Sequence, residues 1–437
     1  MAARPLPEPD EVGGEKEPPP RAGVRVSVPS PPLTVRKLAW NDQALGSIPL
    51  PRAPLVLRAS VGSGLTRRAG DPPGRIWAIG DRGPNLKVED ALELYGADHL
   101  APLAEIDGAK IMPRLDLGPE IAELQVHEDR VELLRTIRLT EPNGSPVSGL
   151  PIPGGSNVRS EPVFDLAGNP LKPDPGGLDT EGIAALADGG FWIGDEFGPS
   201  LVQVDAQGRI LRRLVPQGVH LAAQPTPEPC LPALAARRQI NRGFEALALT
   251  PDGAALFLAF QSPLAHPDEA AHEAAAYVRL WQLDPETGAI QVQYLYPLDP
   301  PETFRRDRDA GAFERKDVKV SEIACLGTGD LLVLERGSQT TKLYRVSLDP
   351  ELALPPEHLS LETRPTIEEL SAADIPLPAL AKQLLFTSDD FAEVSRDLEG
   401  VAILSPTELI LVSDNDFGVE GEETHFWRLR FTDPVLA

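Results

Sequence analysis

The chain has 437 residues, 47 of them proline and 37 glycine, and a formal net charge of −25. That composition argues for many turns and few long helices, and no apolar run approaches the roughly 20 residues of a membrane span. The acidic surface repels nucleic acid and anionic membranes unless cations intervene; it suits divalent cations, although it also serves simply as a solubilising surface.

Residues 1–32 are rich in Pro, Glu and Ala and lack an apolar signal-peptide core, which predicts a disordered leader and a cytoplasmic protein. Residues 33–437 then read as one domain. The first strands fall at 33–40 and 55–59. After Gly62-Ser63-Gly64-Leu65 comes a strand over 75–80 ending in Asp81-Arg82-Gly83-Pro84, an irregular excursion over 85–111, and strands over 121–127 and 131–139. The same order repeats, with short polar turns such as Pro251-Asp252-Gly253. The second set covers 182–186, 191–194, 201–205 and 210–215. The third covers 244–250, 255–261, 278–283 and 290–296. A fourth covers 321–326, 331–335, 342–347 and 383–386, with an insert near 347–382. The fifth, at 401–404, 408–413 and 425–431, lacks its last strand.

The stretch Gly177 to Pro199 is the clearest copy of the repeat. Its first half, with Glu181, returns as R-G-F-E-A-L-A-L around Glu245, V-S-E-I-A-C-L around Glu322 and D-L-E-G-V-A-I-L around Glu399. These glutamates recur 64, 77 and 77 residues apart. Four-stranded units at such a period fit propeller blades. The expected fold is an all-β propeller of four-stranded antiparallel blades, five counted and six if an insert hides another. The strand at 33–40 supplies the missing partner and closes the ring, which removes an exposed sheet edge.

In a propeller the first strand of each blade lines the axis. Glu181, Glu245, Glu322 and Glu399 should therefore form an inner ring, with Asp81, Asp195, Glu335 and Asp414 in a wider ring at one mouth. Crowded carboxylates raise their pKa values or recruit cations, and hard oxygen-seeking cations, calcium above all, are the natural partners. The alternative is that repeated acids only tie one blade to the next. Arginines beside the acids, namely Arg82, Arg242, Arg336 and Arg396, point to an anion site, such as one for phosphate, next to the cation site. His266 and His272 lie in an Ala/Glu-rich loop and read as solvated. Cys230 and Cys325 show no metal-type spacing, and no G-x-S-x-G elbow, P-loop or complete EF-hand loop occurs.

The motifs D-T-E-G-I-A, G-F-W-I-G-D-E-F-G-P, R-G-F-E-A-L-A-L, D-L-E-G-V-A and S-D-N-D-F-G, with I-G-D-R-G-P and S-G-L-P-I-P upstream, resemble those of the phytase-like family, described as having esterase-like activity of phytase. The resemblance spans roughly Leu55 to Phe431. It implies a propeller hydrolase of a phosphate or other ester, calcium-assisted, and an exported location as the alternative to a cytoplasmic one. By motif the metal ligands would be Asp81, Glu181, Asp195, Glu196, Glu245, Glu322, Glu335, Glu399 and Asp414, with Asp416 among the acids concerned. Glu181, Glu245, Asp195 and Arg82 would be catalytic, and Arg82, Arg242 and Arg336 would hold substrate. The expected partner is a small-molecule ester, with no nucleic acid and no membrane span. A non-catalytic propeller binding a small ligand or protein, and a metal-dependent lactonase, are the rival readings.

Overall fold

The computed structural model describes residues 31–154, 160–326, 329–373 and 375–437. The expected leader lies almost wholly outside them. Alternating apolar strands and Asp- or Gly-bearing turns build five antiparallel sheets, each a blade. Blade one comprises Gly64–Thr66, Arg75–Ile79, Glu120–Val126 and Val131–Arg138. Blade two comprises Thr180–Ala185, Phe191–Asp195, Ser200–Val204 and Ile210–Pro216, with Glu228–Leu231 added in parallel at its outer edge. Blade three comprises Phe244–Leu249, Leu256–Phe260, Tyr277–Leu283 and Ile290–Pro297, and blade four Lys319–Cys325, Asp330–Arg336, Thr341–Ser347 and Lys382–Thr387. Blade five takes Leu398–Ser405, Glu408–Ser413 and Phe426–Phe431 from the C-terminus and Leu33–Leu38 from the N-terminus.

Each innermost strand packs against the next around the ring, and that of blade five packs against that of blade one. The circle is therefore closed at five. Among the described residues neither insert supplies a sixth blade. The 85–111 excursion forms a short helix, Val88–Glu93, and strands Leu86–Lys87 and Lys110–Ile111, the latter also pairing with Val163–Phe164. The 347–382 insert carries 3-10 turns and the helix Ile367–Ala372 before the last strand of blade four.

Neighbouring blades bury their apolar faces against each other. One core joins blades two, three and four around Trp192, Phe244, Phe260 and Trp281. Another lies between blades one and two, a third between blades four and five, and a fourth between blades five and one. Near the axis the strands come too close for side chains at some positions. A Cβ on Gly182 would stand 2.5 Å from the Glu245 carbonyl, and one on Gly64 2.6 Å from the Glu181 carbonyl, so glycine permits the close approach.

The N-terminal strand runs antiparallel to the last one, from Leu33 opposite Phe431 to Leu38 opposite Phe426. Leu38 is buried in the core between blades five and one. Replacing it with Ala should cost about 2–5 kcal/mol of stability, read from urea unfolding of the full chain. A loss below about 1 kcal/mol would mean that this strand does not hold the ring shut.

Candidate functional site

Antiparallel pairing brings the start of each innermost strand beside the end of the second strand, at one mouth of the channel. Thr180 pairs with Asp195, Phe244 with Phe260, Val320 with Glu335 and Leu398 with Ser413. Directly after each of these residues the innermost strand is bulged. Glu245, Ser321 and Glu399 fill the bulge in blades three to five, and Glu181 with Gly182 fills it in blade two. A bulge re-aims the side chain it carries, and here it accompanies the turn of three carboxyls toward a common point. Glu181, Glu245 and Glu399 each offer an oxygen within 4.8 Å of the others, and Glu181 also forms such a group with Asp81 and Asp179.

These acids face a cavity of about 320 Å³. Among the described residues, eleven carboxylates and six cationic side chains line it, with Asn85, Asn241, Gln261 and Ser338 among the neutral polar groups. Three of the four non-glycine residues with positive φ among the described residues, Asn241, Asp397 and Asp416, line the same cavity. Backbone strain of this kind gathers at functional sites.

Burial pushes Glu181 well above the usual carboxylate range, and the charges of Glu245 and Asp81 push the same way. Glu196 rises for the same reasons, burial and then Glu245, and Asp81 through burial and then Asp179. Glu245 and Glu399 are raised by burial although Arg336 opposes the shift in both. Two buried acceptors in the lining, Glu245 Oε2 and Gln261 Oε1, have no hydrogen-bond partner among the described residues. Such orphaned oxygens are costly unless a ligand completes them.

The arginines of the mouth are committed to carboxylates. Arg82 pairs with Glu161 at 2.6 Å and Asp179 at 3.4 Å, and donates to Asn85 at 3.0 Å. Arg336 holds Asp397 at 2.7 Å, Glu399, and the hydroxyl of Ser321 at 2.7 Å. Both therefore position acids. Arg242 does not line the cavity; it donates to the Lys316 carbonyl at 2.6 Å.

Of the acids expected at the site, Asp81, Glu181, Glu196, Glu245, Glu399, Asp414 and Asp416 line the cavity, and Asp195, Glu322 and Glu335 do not. Asp195 is consumed by a framework role: it accepts backbone N–H groups of Asp179, Phe197 and Gly198, and pairs with Arg213 at 3.0 Å. Glu335 is held by Tyr296 at 2.7 Å, the Asp299 N–H at 2.8 Å and Lys382 at 2.6 Å. Glu322 stands one residue past the bulge and accepts the Leu65 N–H at 2.9 Å, a bond from blade four to blade one across the ring. Ser321, not Glu322, occupies the position of the other glutamates. In the same way Ser413 matches Asp195, and Asp414 matches Glu196.

Asp414 accepts Ser63 at 2.6 Å and Ser60 at 3.1 Å. His266 and His272 are buried, and His272 Nδ1 meets the Pro263 carbonyl at 2.6 Å within a short helical turn; the solvated reading of both is corrected. Sequence reasoning passed over Asp179, Asp397, Lys110 and Lys319, all of which line the cavity.

A family model described as "Phytase-like: Esterase-like activity of phytase" matches residues 61–417. The chain belongs to the phytase-like family. An uncharacterized secreted protein of Arthroderma benhamiae is 29% identical to this phytase-like chain over 304 residues, which are 61% of the chain and 55% of the relative. The chain thus spans about half the length of that curated relative. That this relative is a secreted protein overturns the cytoplasmic expectation: missing apolar residues near the start of a sequence are weak ground for a compartment.

Among solved structures, the PQQ-bound aldose sugar dehydrogenase of Streptomyces coelicolor is 12% identical, covers 92% of this chain and 99% of its own, and gives a TM-score of 0.34. The Cps50 (Swd1) β-propeller domain of Myceliophteria thermophila is 10% identical over 89% and 99%, at 0.33. The ring of five sheets, and not these scores, establishes the phytase-like propeller. No helix among the described residues is long and apolar enough to cross a membrane.

A carboxyl whose pKa is higher folded than unfolded binds its proton more tightly in the folded state. The stability it lends is present at low pH and is lost as pH rises from the ordinary carboxylate range through the folded value. Asp81, Glu181, Glu196, Glu245 and Glu399 all carry that sign. In chelator, these groups should lower the melting temperature between about pH 5 and pH 8. Calcium should raise it more at the higher pH, where protons no longer compete for the oxygens. Scanning calorimetry reads both, and a calcium shift no larger at pH 8 than at pH 5 contradicts the assignment.

Proposed function

We propose that the polar mouth is the active site of a hydrolase acting on a phosphate or other ester with the help of a divalent cation, calcium by preference. One observation carries the reading: carboxylates from three blades converge within 4.8 Å, with a buried oxygen of Glu245 left unpartnered among the described residues. The donor set fits the ion. The described lining offers carboxylate and amide oxygens and neither histidine nor cysteine, which suits calcium over softer metals. Glu181, Glu245 and Glu399 would hold it, with Asp81 and Asp179 beside them. When bound, such a cation neutralises the ester oxygens and makes a bound water more acidic.

The remaining tasks fall to the protein. Glu196 Oε1 accepts the Gln261 amide at 3.0 Å, so a proton held by this raised carboxyl would sit on Oε2. It would serve as the acid that protonates the departing alkoxide. Arg82 and Arg336 act as positioning residues, fixing Asp179 and Glu399 through ion pairs. Asp195 supports the strand end and takes no part in the chemistry. The relative's secreted location, carried to this chain, would place the site where calcium is abundant enough for a modest-affinity centre.

Turnover of a matched aryl phosphate, aryl acetate and lactone should be measured in calcium and in chelator. The expected result is calcium-dependent hydrolysis of an aryl ester. Glu245→Gln should lower kcat/KM by about 100-fold or more and abolish the calcium-dependent rise in melting temperature. Lactone turnover alone would favour a lactonase. Calcium stabilisation without turnover of any substrate would favour a non-catalytic binding propeller and defeat the hydrolase reading.

A further inference from the structure

Two lysines in the lining differ from every arginine beside them. Lys319 lies directly before Val320, in the place that Asp179 holds before Thr180 and Asp397 before Leu398. All three line the cavity. Blade four thus presents an ammonium where two other blades present carboxylates. Lys110 comes from outside the blades, on the strand Lys110–Ile111 of the 85–111 excursion, and stands on the side of Arg82 and Glu161. Lys319 stands beside Arg336 and Arg242.

Neither ammonium makes a hydrogen bond, or an ion pair within 4.0 Å, to any described residue. Arg82 and Arg336, by contrast, each grip two carboxylates. A half-buried ammonium without a partner carries an uncompensated loss of hydration. Burial and neighbouring guanidinium groups lower the pKa of both lysines, as expected of cations still lacking a counter-charge. Of the acids close by, Glu161 and Glu399 are engaged with arginines and Glu245 is crowded into a central triad; Asp416, near Lys110, makes no ion pair with it within 4.0 Å. The groups left to receive an arriving anion are therefore the two lysines.

We infer, resting on the hydrolase reading above, that Lys319 and Lys110 receive the anionic oxygens of the substrate and select a phosphate monoester over a neutral ester. A phosphoryl dianion offers three terminal oxygens, enough to meet an ammonium on either side while still facing the carboxylate centre. A neutral ester offers one carbonyl oxygen and no charge. The compact ammonium suits this task as a point charge.

The test uses the full chain and inorganic phosphate as probe, titrated calorimetrically in chelator and in saturating calcium. Wild type should bind phosphate more tightly in calcium. Lys319→Gln and Lys110→Gln should each weaken that binding by about tenfold, and Lys319→Arg should retain most of it. In parallel, the ratio of kcat/KM for aryl phosphate to that for aryl acetate should fall about 10- to 100-fold in each glutamine variant. The glutamine variants are compared only after their melting temperatures in chelator match those of wild type and Lys319→Arg. Phosphate affinity equal in wild type and both glutamine variants overturns the inference, as does wild type that binds no phosphate in either condition. If no ester is turned over but the affinities differ as stated, the hydrolase reading falls and the anion site stands.

Discussion

Three carboxyls, two buried and one half-buried, held within 4.8 Å of one another cannot all remain ionised without counter-charge, because repulsion and lost hydration act in the same direction. The protein accepts that cost at the one place where five strands meet. The scaffold opposes relaxation: the innermost strands pack so closely that glycine is required at Gly64 and Gly182, and each acid sits in a bulge fixed by ladder bonds on both sides. The triad cannot spread without opening the ring.

The surrounding charges divide into two groups. Arg82, Arg213 and Arg336 are buried and paired, so they stabilise the frame and orient acids. Lys110 and Lys319 line the cavity without such pairing. A site needing only rigidity would be expected to neutralise itself with the cations it already has. Instead, eleven carboxylates face six cations, and oxygens of Glu245 and Gln261 stay unpartnered among the described residues. The mouth has the character of a receptor for one species of each sign.

Much of this was legible in the sequence, for a physical reason. Repeated blades repeat their strands, turns and inner-ring acids, so the five sheets and the closing N-terminal strand follow from pattern, with boundaries shifted by up to three residues. The exception is blade one, whose innermost strand is Gly64–Thr66, while the expected strand at 55–59 pairs instead with Ala44–Ile48 in a separate two-stranded sheet. The misplacements were errors of register. Aligning V-S-E-I on its glutamate, when the Ile-Ala that follows should have been matched to Ile183-Ala184, put Glu322 in the ring where Ser321 belongs. The same slip equated Asp414 with Asp195 when its counterpart is Glu196. A shift of one residue reverses the direction of a strand side chain, so small alignment errors became wrong sites. Lys110 and Glu161 were not legible, because they reach the mouth from segments outside the repeat. His272 was missed because a short helix buries a segment whose composition reads as a solvated loop.

The central claim, that the three blade acids form a cation centre, is tested most directly by anomalous diffraction from crystals grown with calcium or manganese. The account predicts an anomalous peak at the mouth, about 2.3–2.6 Å from oxygens of Glu181, Glu245 and Glu399 when the ion is calcium. A map at full ion concentration with no peak among those three carboxylates would contradict it.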